Sequence, residues 1–270
     1  MPRPGWEPPS EDWQPPGNDL ISGAAGVGLG HLELHELTGD ARHLGAAVRC
    51  GQIILASPAE PGPVAEPGTA SAIDTSASRA HGLAGELEVL LALAARTGDQ
   101  ATLAAAAASA TRLVERTEYL LPAARAAATP LTVSWCQGLA GIGQVLLAAS
   151  RVLDDPGLAS LARRAADVCV EFVPRLSVTA RCCGLAGLGH FFIDLALAGS
   201  DERYWDAARD TGRQMLLRSG GPSSRPVFTP GAGDGSGISW AFGLPGLLSF
   251  FRRLARPGDD DSVPGLWKAG

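Results

Sequence analysis

The chain has 270 residues, of which 46 % are apolar, and its formal net charge is −6. This apolar content can build a sizeable core, so we expect a globular protein with one large domain or two small ones. Nucleic-acid affinity depends on clustered cations, and the sequence has no dense run of Lys or Arg, so we expect no nucleic-acid partner.

Targeting signals and cysteines indicate the compartment. The first residues contain no apolar signal segment, and no apolar run reaches the roughly 18 residues that would span a bilayer. We therefore expect a cytoplasmic protein without a membrane partner. In that compartment its five cysteines are predicted to be free or metal-bound rather than paired in disulfides.

Composition divides the chain into three parts. Residues 1–17 are rich in Pro, Gly, Trp and acidic residues, which predicts an extended N-terminal arm. Residues 18–257 are predicted to form the main domain. Residues 258–270, with three consecutive aspartates, are predicted to be an acidic flexible tail.

A Gly-x-x-Gly phrase repeats along the main domain. Its first glycines return at intervals of 46 to 59 residues (184 − 138 and 82 − 23). The five phrases are Gly23-Ala-Ala-Gly26, Gly82-Leu-Ala-Gly85, Gly138-Leu-Ala-Gly141, Gly184-Leu-Ala-Gly187 and Gly243-Leu-Pro-Gly246. Such a period is typical of folds that repeat one supersecondary unit.

Each repeat predicts an inner and an outer helix. A strongly apolar stretch follows every phrase, and several stretches end in Gly-Asp or a similar stop before a mixed, amphipathic segment. No stretch alternates with period two, so the fold is predicted to be all-α. Repeated hairpins can stack as a solenoid or close into an α/α toroid. The small residues favour an α/α toroid of about five hairpins, although the period alone does not decide whether the ring closes.

Pro/Gly-rich connections separate the helical units at residues 58–80, 121–134 and 220–239. Long irregular loops usually cover or line a site. We expect these three to approach the face that carries the Gly-x-x-Gly turns.

Three cysteines indicate a metal site. Cys136 and Cys182 occupy equivalent positions in neighbouring phrases, and Cys183 follows directly. Three thiolates with one open position would suit a catalytic Zn²⁺. The alternative is that they are small buried core residues. Cys50 and Cys169 lie in outer-helix segments and are expected to be structural.

His81 and Asp19 are candidate catalytic residues. His81 directly precedes the second phrase and could exchange protons near neutral pH, or it could be an ordinary core or cap residue. Asp19 could orient His81, or it could be a helix-start signal. His190 lies close enough to Cys183 in sequence to be a rival metal ligand.

Four phrases together resemble the motifs of the lanthionine cyclases, the LanC-like family. They are Asp19–Gly23, Ala80–Gly85, Ser134–Gly141 and Cys182–Gly187, in the family's order, and the resemblance extends from about Asp19 to Arg253. It implies that Cys136, Cys182 and Cys183 bind zinc, as in the subgroup with a Cys-Cys-Gly motif. It also implies that His81 is the acid/base residue and Asp19 its carboxylate.

The resemblance further implies an activity and partners. A zinc-dependent lanthionine cyclase adds peptide cysteine thiolates to dehydroalanine or dehydrobutyrine, which forms thioether rings in a lanthipeptide precursor. The partner would be a dehydrated precursor peptide. No kinase or phosphothreonine lyase motif is visible in this sequence, so we expect a separate dehydratase or kinase-lyase protein to perform the dehydration.

The sequence departs from the family in three places. Thr132 stands where the family usually has an arginine, which Arg79 or Arg181 could replace, and Gln137 stands where it often has an aromatic residue. The family ring has about seven hairpins and the sequence predicts five, so we expect an incomplete ring that lacks the N-terminal hairpins of the family. Either the ring stays open, or a partner chain or second copy completes it, or the enzyme is truncated and impaired.

Two other functions compete with the cyclase. One is a non-catalytic, degenerate LanC-like protein that binds or scaffolds a peptide. The other is an α/α-toroid glycosidase, which needs two carboxylates across a cleft. Only Asp19, Asp74 and Asp234 are candidates for such a pair, so this function is the weakest of the three.

Overall fold

A computed structural model of the protein describes residues 15–56, 75–126, 129–199, 201–222, 224–228 and 237–255. Nine α-helices lie within these ranges, together with three short 3₁₀ turns and no strand beyond a single bridge between Gly220 and Val227. The helices are α1 (Ala24–Thr38), α2 (Ala41–Ala56), α3 (Leu83–Thr97), α4 (Gln100–Ala126), α5 (Leu139–Val152), α6 (Pro156–Phe172), α7 (Leu185–Gly199), α8 (Glu202–Leu217) and α9 (Leu244–Ala255).

The odd-numbered helices are the predicted inner helices. Each begins at the residue directly after the first glycine of a phrase. Most residues of α3, α5 and α7 are buried around the whole helix circumference, as their apolar sequences predict. The even-numbered helices α6 and α8 each bury one face only.

The helices are arranged as an arc of hairpins. The first four inner helices each pack against the outer helix that follows, and α1, α3, α5, α7 and α9 pack side by side in chain order. Within the described ranges, no comparable packing joins α9 back to α1. The all-α hairpin architecture is confirmed. These ranges hold four complete hairpins and a fifth inner helix, and the residues after Ala255 lie outside them.

Helix ends follow the sequence signals, with one exception. Gly39 and Gly98 adopt the left-handed conformation after α1 and α3, and Asp201 caps the N-terminus of α8. The predicted irregular connection from residue 121 instead begins as helix, because α4 continues through Pro122 to Ala126. Leu121 and Ala124 are buried there, and this burial offsets the hydrogen bond that proline cannot donate.

Both glycines of every phrase are required by close backbone contacts. A Cβ built on any of the first glycines would lie 2.3 to 2.5 Å from the carbonyl oxygen six residues earlier. A Cβ on any of the second glycines would lie 1.9 to 2.4 Å from the corresponding oxygen. Real Cβ atoms do not approach so closely, so each turn folds tightly onto its inner helix only because these side chains are absent.

In the ranges described, no helix combines the length and the apolar character that crossing a bilayer requires.

Candidate metal and catalytic site

A backbone hydrogen-bond ladder joins the turns that precede the inner helices. The amide of Ala80 donates to the Cys136 carbonyl at 2.9 Å, and the amide of Cys136 donates to the Cys182 carbonyl at 3.2 Å. The Cys182 amide in turn donates to Ala241 at 2.9 Å. All four residues stand two positions before a first glycine. The ladder therefore places Cys136 and Cys182 on adjacent turns.

The three thiols of this region influence one another's protonation, and Cys182 interacts with both Cys136 and Cys183. Hydrogen bonds from Cys182, and then from Ser134 and nearby amides, lower the pKa of Cys136 to about 6 although burial opposes this. The interaction with Cys182 also lowers the pKa of Cys183, whereas the pKa of Cys182 is strongly raised. These interactions favour the thiolate form of Cys136.

The thiol cluster is partly accessible and its donors suit zinc. Cys136 is buried, and Cys182 and Cys183 are half-buried. Among the residues that the structure describes, no group of three His, Cys, Asp or Glu side chains is already arranged as a metal site. Three thiol side chains on two adjacent turns nevertheless make up a donor set that a tetrahedral zinc site uses, with Zn–S bonds of about 2.3 Å. Cys136, Cys182 and Cys183 are therefore the residues that would hold one Zn²⁺.

His81 and Asp19 face each other from neighbouring turns. His81 Nδ1 lies 3.5 Å from Asp19 Oδ2, and 47 % of the His81 side chain is exposed. The turns are joined by a hydrogen bond from the Leu20 amide to the Ala80 carbonyl. His81 thus has both a carboxylate neighbour and access to solvent.

Asp19 also organises its own turn. Its Oδ1 accepts hydrogen bonds from the amides of Ile21 at 2.8 Å and Ser22 at 2.6 Å. Burial raises the pKa of Asp19, but the bonds from Ser22, His81 and Ile21 together outweigh it and lower the pKa below its usual value. The contact with His81 considered from the sequence is therefore present, whereas Asp19 does not cap α1, whose N-cap is Gly23 without a side-chain hydrogen bond.

The remaining candidate residues lie elsewhere. His190 is buried on α7 against Phe250 and Arg253 of α9. Cys50 and Cys169 are buried in outer helices, where desolvation raises the pKa of each thiol. Asp74 and Asp234, the carboxylates considered for a glycosidase, lie outside the described residues.

An alternating column of cations and aromatic rings lies beside the thiol cluster. Arg79, Trp135, Arg181 and Trp240 each stand three positions before a first glycine. The Arg79 guanidinium carbon lies 5.1 Å from the Trp135 ring centroid, and that of Arg181 lies 6.0 Å from Trp135 and 5.1 Å from Trp240. These contacts combine apolar burial with cation–π attraction and link four successive turns.

A buried polar network crosses the inner helices behind this column. Arg79 Nε donates to Glu88 at 2.7 Å, and Arg79 Nη1 donates to Gln144 at 2.6 Å. Gln144 Nε2 donates to Asp194, which also accepts from Arg253 Nη2 at 2.7 Å. The sequence interpretation missed this network, although Glu88 and Gln144 share one repeat position, six residues after the first glycine.

Arg79 and Arg181, the two proposed substitutes for the family arginine, belong to the network and the column just described. The charge of Arg79 is matched by Glu88, and Arg181 stacks between two tryptophans. At the position where the family has arginine, the Thr132 hydroxyl donates to the Thr129 carbonyl at 2.8 Å. At the position that is often aromatic in the family, the backbone N–H of Gln137 donates a hydrogen bond to the Ser134 hydroxyl.

Comparisons with known proteins support the helical fold described above. The family model for lanthionine synthetase C-like protein matches residues 6–225. A search of curated proteins found no match. Among solved structures, nisin cyclase is similar with a TM-score of 0.57 at 13 % sequence identity, an alignment that covers 90 % of this chain. The chain spans 65 % of the nisin cyclase chain. The structural likeness confirms the toroid fold over that part.

Proposed function

Because the chain belongs to the lanthionine synthetase C-like family, we propose that it is a zinc-dependent lanthionine cyclase. It would add cysteine thiolates of a peptide to dehydroalanine or dehydrobutyrine residues and so form thioether rings. The observation that carries this proposal is the placement of Cys136, Cys182 and Cys183 on two adjacent turns, one turn away from the His81–Asp19 pair.

The three thiols would act as metal ligands. A Zn²⁺ held by Cys136, Cys182 and Cys183 would supply an open coordination position and lower the pKa of a peptide thiol. The lowered pKa of Cys136 favours the thiolate form that metal binding requires. The accessible surfaces of Cys182 and Cys183 leave an approach for the peptide.

His81 would transfer the proton. An ionised Asp19 can only accept, so its contact with Nδ1 places the imidazole proton there and leaves Nε2 as a base. Nε2 would take the proton of the peptide thiol and return it to the carbon next to the carbonyl after sulfur has added. One C–S and one C–H bond form, the C=C bond becomes single, and no by-product is released.

The substrate would be a precursor peptide that a separate dehydratase or kinase-lyase has already dehydrated. A non-catalytic, peptide-binding function is the second candidate. It is favoured by the open arc within the described residues and by the share of the nisin cyclase chain that this chain spans.

One reaction distinguishes the two candidates. Purified protein with added zinc would be incubated with a synthetic peptide that contains one cysteine and one dehydroalanine. Cyclisation leaves the mass unchanged but removes the thiol, so iodoacetamide should no longer add mass. We expect ring formation with wild type and at least a 100-fold slower reaction with His81→Ala, since general acid–base catalysis contributes about 10²–10⁴-fold. Binding of the peptide without any acceleration would instead support the non-catalytic function.

A further inference from the structure

Two arginines in equivalent repeat positions have different surroundings. Arg79 and Arg181 each stand three residues before a first glycine. Arg79 donates Nε to Glu88 and Nη1 to Gln144, so these two atoms are satisfied. Arg181 is only 5 % exposed, yet its Nε and Nη1 have no hydrogen-bond partner in the described part of the chain. The arginine of the second repeat thus has a carboxylate partner that the arginine of the fourth repeat lacks.

In the fourth repeat, His190 takes the place of this carboxylate. It stands six residues after its first glycine, where the second repeat has Glu88. Burial, Arg181 and Arg253 lower the pKa of His190 well below its ordinary value, so the imidazole is neutral at pH 7. Arg253 Nη1 lies 3.0 Å from His190 Nδ1, and a guanidinium can only donate, so Nδ1 must accept. The proton of His190 is therefore on Nε2, which makes Nε2 a donor.

The unsatisfied atoms of this region are all donors. His190 Nε2 and the Trp135 indole nitrogen are buried and, like Arg181 Nε and Nη1, have no hydrogen-bond partner among the described residues. The two carboxylates whose charges act on Arg181 are already paired, Asp194 with Arg253 and Glu88 with Arg79. Buried donors without acceptors cost free energy, and here one of them carries a full positive charge.

Arg181 and His190 lie along the same face of α9. A Cβ on Gly246 would lie 2.7 Å from the Arg181 Cβ, and His190 contacts Phe250 and Arg253. Gly246, Phe250 and Arg253 are spaced by four and three residues, so they form one stripe of the helix. The Arg181 guanidinium also approaches the Trp135 ring, at 6.0 Å from its centroid. Arg181 therefore contacts the N-terminal end of this stripe and His190 its C-terminal end, and the charge of Arg181 is among the causes that lower the pKa of His190.

We propose that a small inorganic anion of the chloride type binds between Arg181 and His190, in the place that the Glu88 carboxylate takes beside Arg79. The site offers only N–H donors and a positive charge. A proton-free anion satisfies such donors, whereas a water molecule brings two protons that would need acceptors of their own. The anion would fix the turn that carries Cys182 and Cys183, because Arg181 directly precedes them.

Chloride dependence of stability tests this proposal. The melting temperature of wild type would be measured as chloride replaces gluconate at constant ionic strength. We expect a rise of about 4 °C or more when chloride reaches a large excess over its dissociation constant. A melting temperature that does not change with chloride would overturn the proposal.

Three variants and a crystallographic measurement complete the test. His190→Glu supplies an internal carboxylate, so its melting temperature should no longer depend on chloride, and Arg181→Met should lose the dependence as well. Arg203→Met, at an exposed arginine, should keep it. Should the buried variants not fold, bromide-soaked wild-type crystals decide the question. An anomalous peak beside Arg181 supports the site, and its absence at saturating bromide contradicts it.

Discussion

At the scale of single residues, one repeat position determines the chemistry of each turn. Ala80, Cys136, Cys182 and Ala241 share the backbone ladder, and only their side chains differ. Because tight turns fix this ladder, aligning the phrases was sufficient to predict that Cys136 and Cys182 would be neighbours. The unsatisfied donors of Arg181 could not be predicted in this way, because they depend on which atoms of a buried side chain find partners.

Asp19 has two roles that two variants can separate. Asp19→Asn keeps an oxygen for the Ile21 and Ser22 amides but removes the charge that faces His81. We expect cyclisation to slow at least tenfold with a small change in melting temperature. Asp19→Ala should also lose about 1 kcal/mol of unfolding free energy, because the amides lose their acceptor. If Asp19→Asn reacts as fast as wild type, Asp19 only caps the turn.

The lowered pKa of Asp19 also gives a pH dependence. The folded state holds this carboxylate ionised to lower pH than the unfolded state does, so its contribution to stability is present above the unfolded pKa. That contribution is lost as pH falls through the lower folded value. The stability difference between wild type and Asp19→Ala should therefore be full at pH 6 and shrink below about pH 4. A difference that stays constant down to pH 2 would contradict this assignment, and chemical denaturation at each pH measures it.

His190 predicts a pH dependence in a higher window. Its folded pKa lies below the unfolded value, so the unfolded state binds the proton more readily. In chloride-free buffer, its contribution to stability should fall by about 1.4 kcal/mol per pH unit below pH 6.5. His190→Gln should flatten this slope in denaturant titrations. Equal slopes for variant and wild type would show that His190 does not titrate in this way.

At the scale of helices and turns, glycine explains why the repeats are visible in the sequence. Each phrase needs two residues without side chains, so the spacing of glycines marks where every inner helix starts. Outer helices were predictable from their Gly-Asp boundaries and amphipathic pattern. The end of α4 was not, because the burial of Leu121 and Ala124 prevails over the local effect of Pro122.

A pair of glycine variants tests this role of the turns. A Cβ on Gly141 would lie 1.9 Å from the Trp135 carbonyl oxygen, whereas nothing lies within 4 Å of one on Gly30. We expect Gly141→Ala to lose about 1–3 kcal/mol of unfolding free energy through overpacking. Gly30→Ala, inside α1, should gain roughly 0.5–1 kcal/mol from its helix propensity. Similar effects of the two variants in urea unfolding would exclude this steric explanation.

At the scale of the whole molecule, the sequence predicted the type of architecture better than its extent. The period and the apolar inner helices indicated a ring of hairpins, and the family match and the nisin cyclase likeness agree. Closure could not be read from the period, because it depends on the packing of α1 and α9, the two ends of the arc. The thiol cluster lies between α5 and α7, within continuous packing, so its assembly depends on neighbouring turns rather than on closure.

The zinc content of the purified protein tests the central proposal most directly. Wild type should contain about one zinc per chain, because three thiolates can hold a single tetrahedral ion. Cys182→Ala, which removes the thiol between the other two, should lose most of it, whereas Cys50→Ala should retain it. A wild-type protein that neither contains nor takes up zinc, or a Cys182→Ala variant with unchanged zinc, would contradict the assignment of the site.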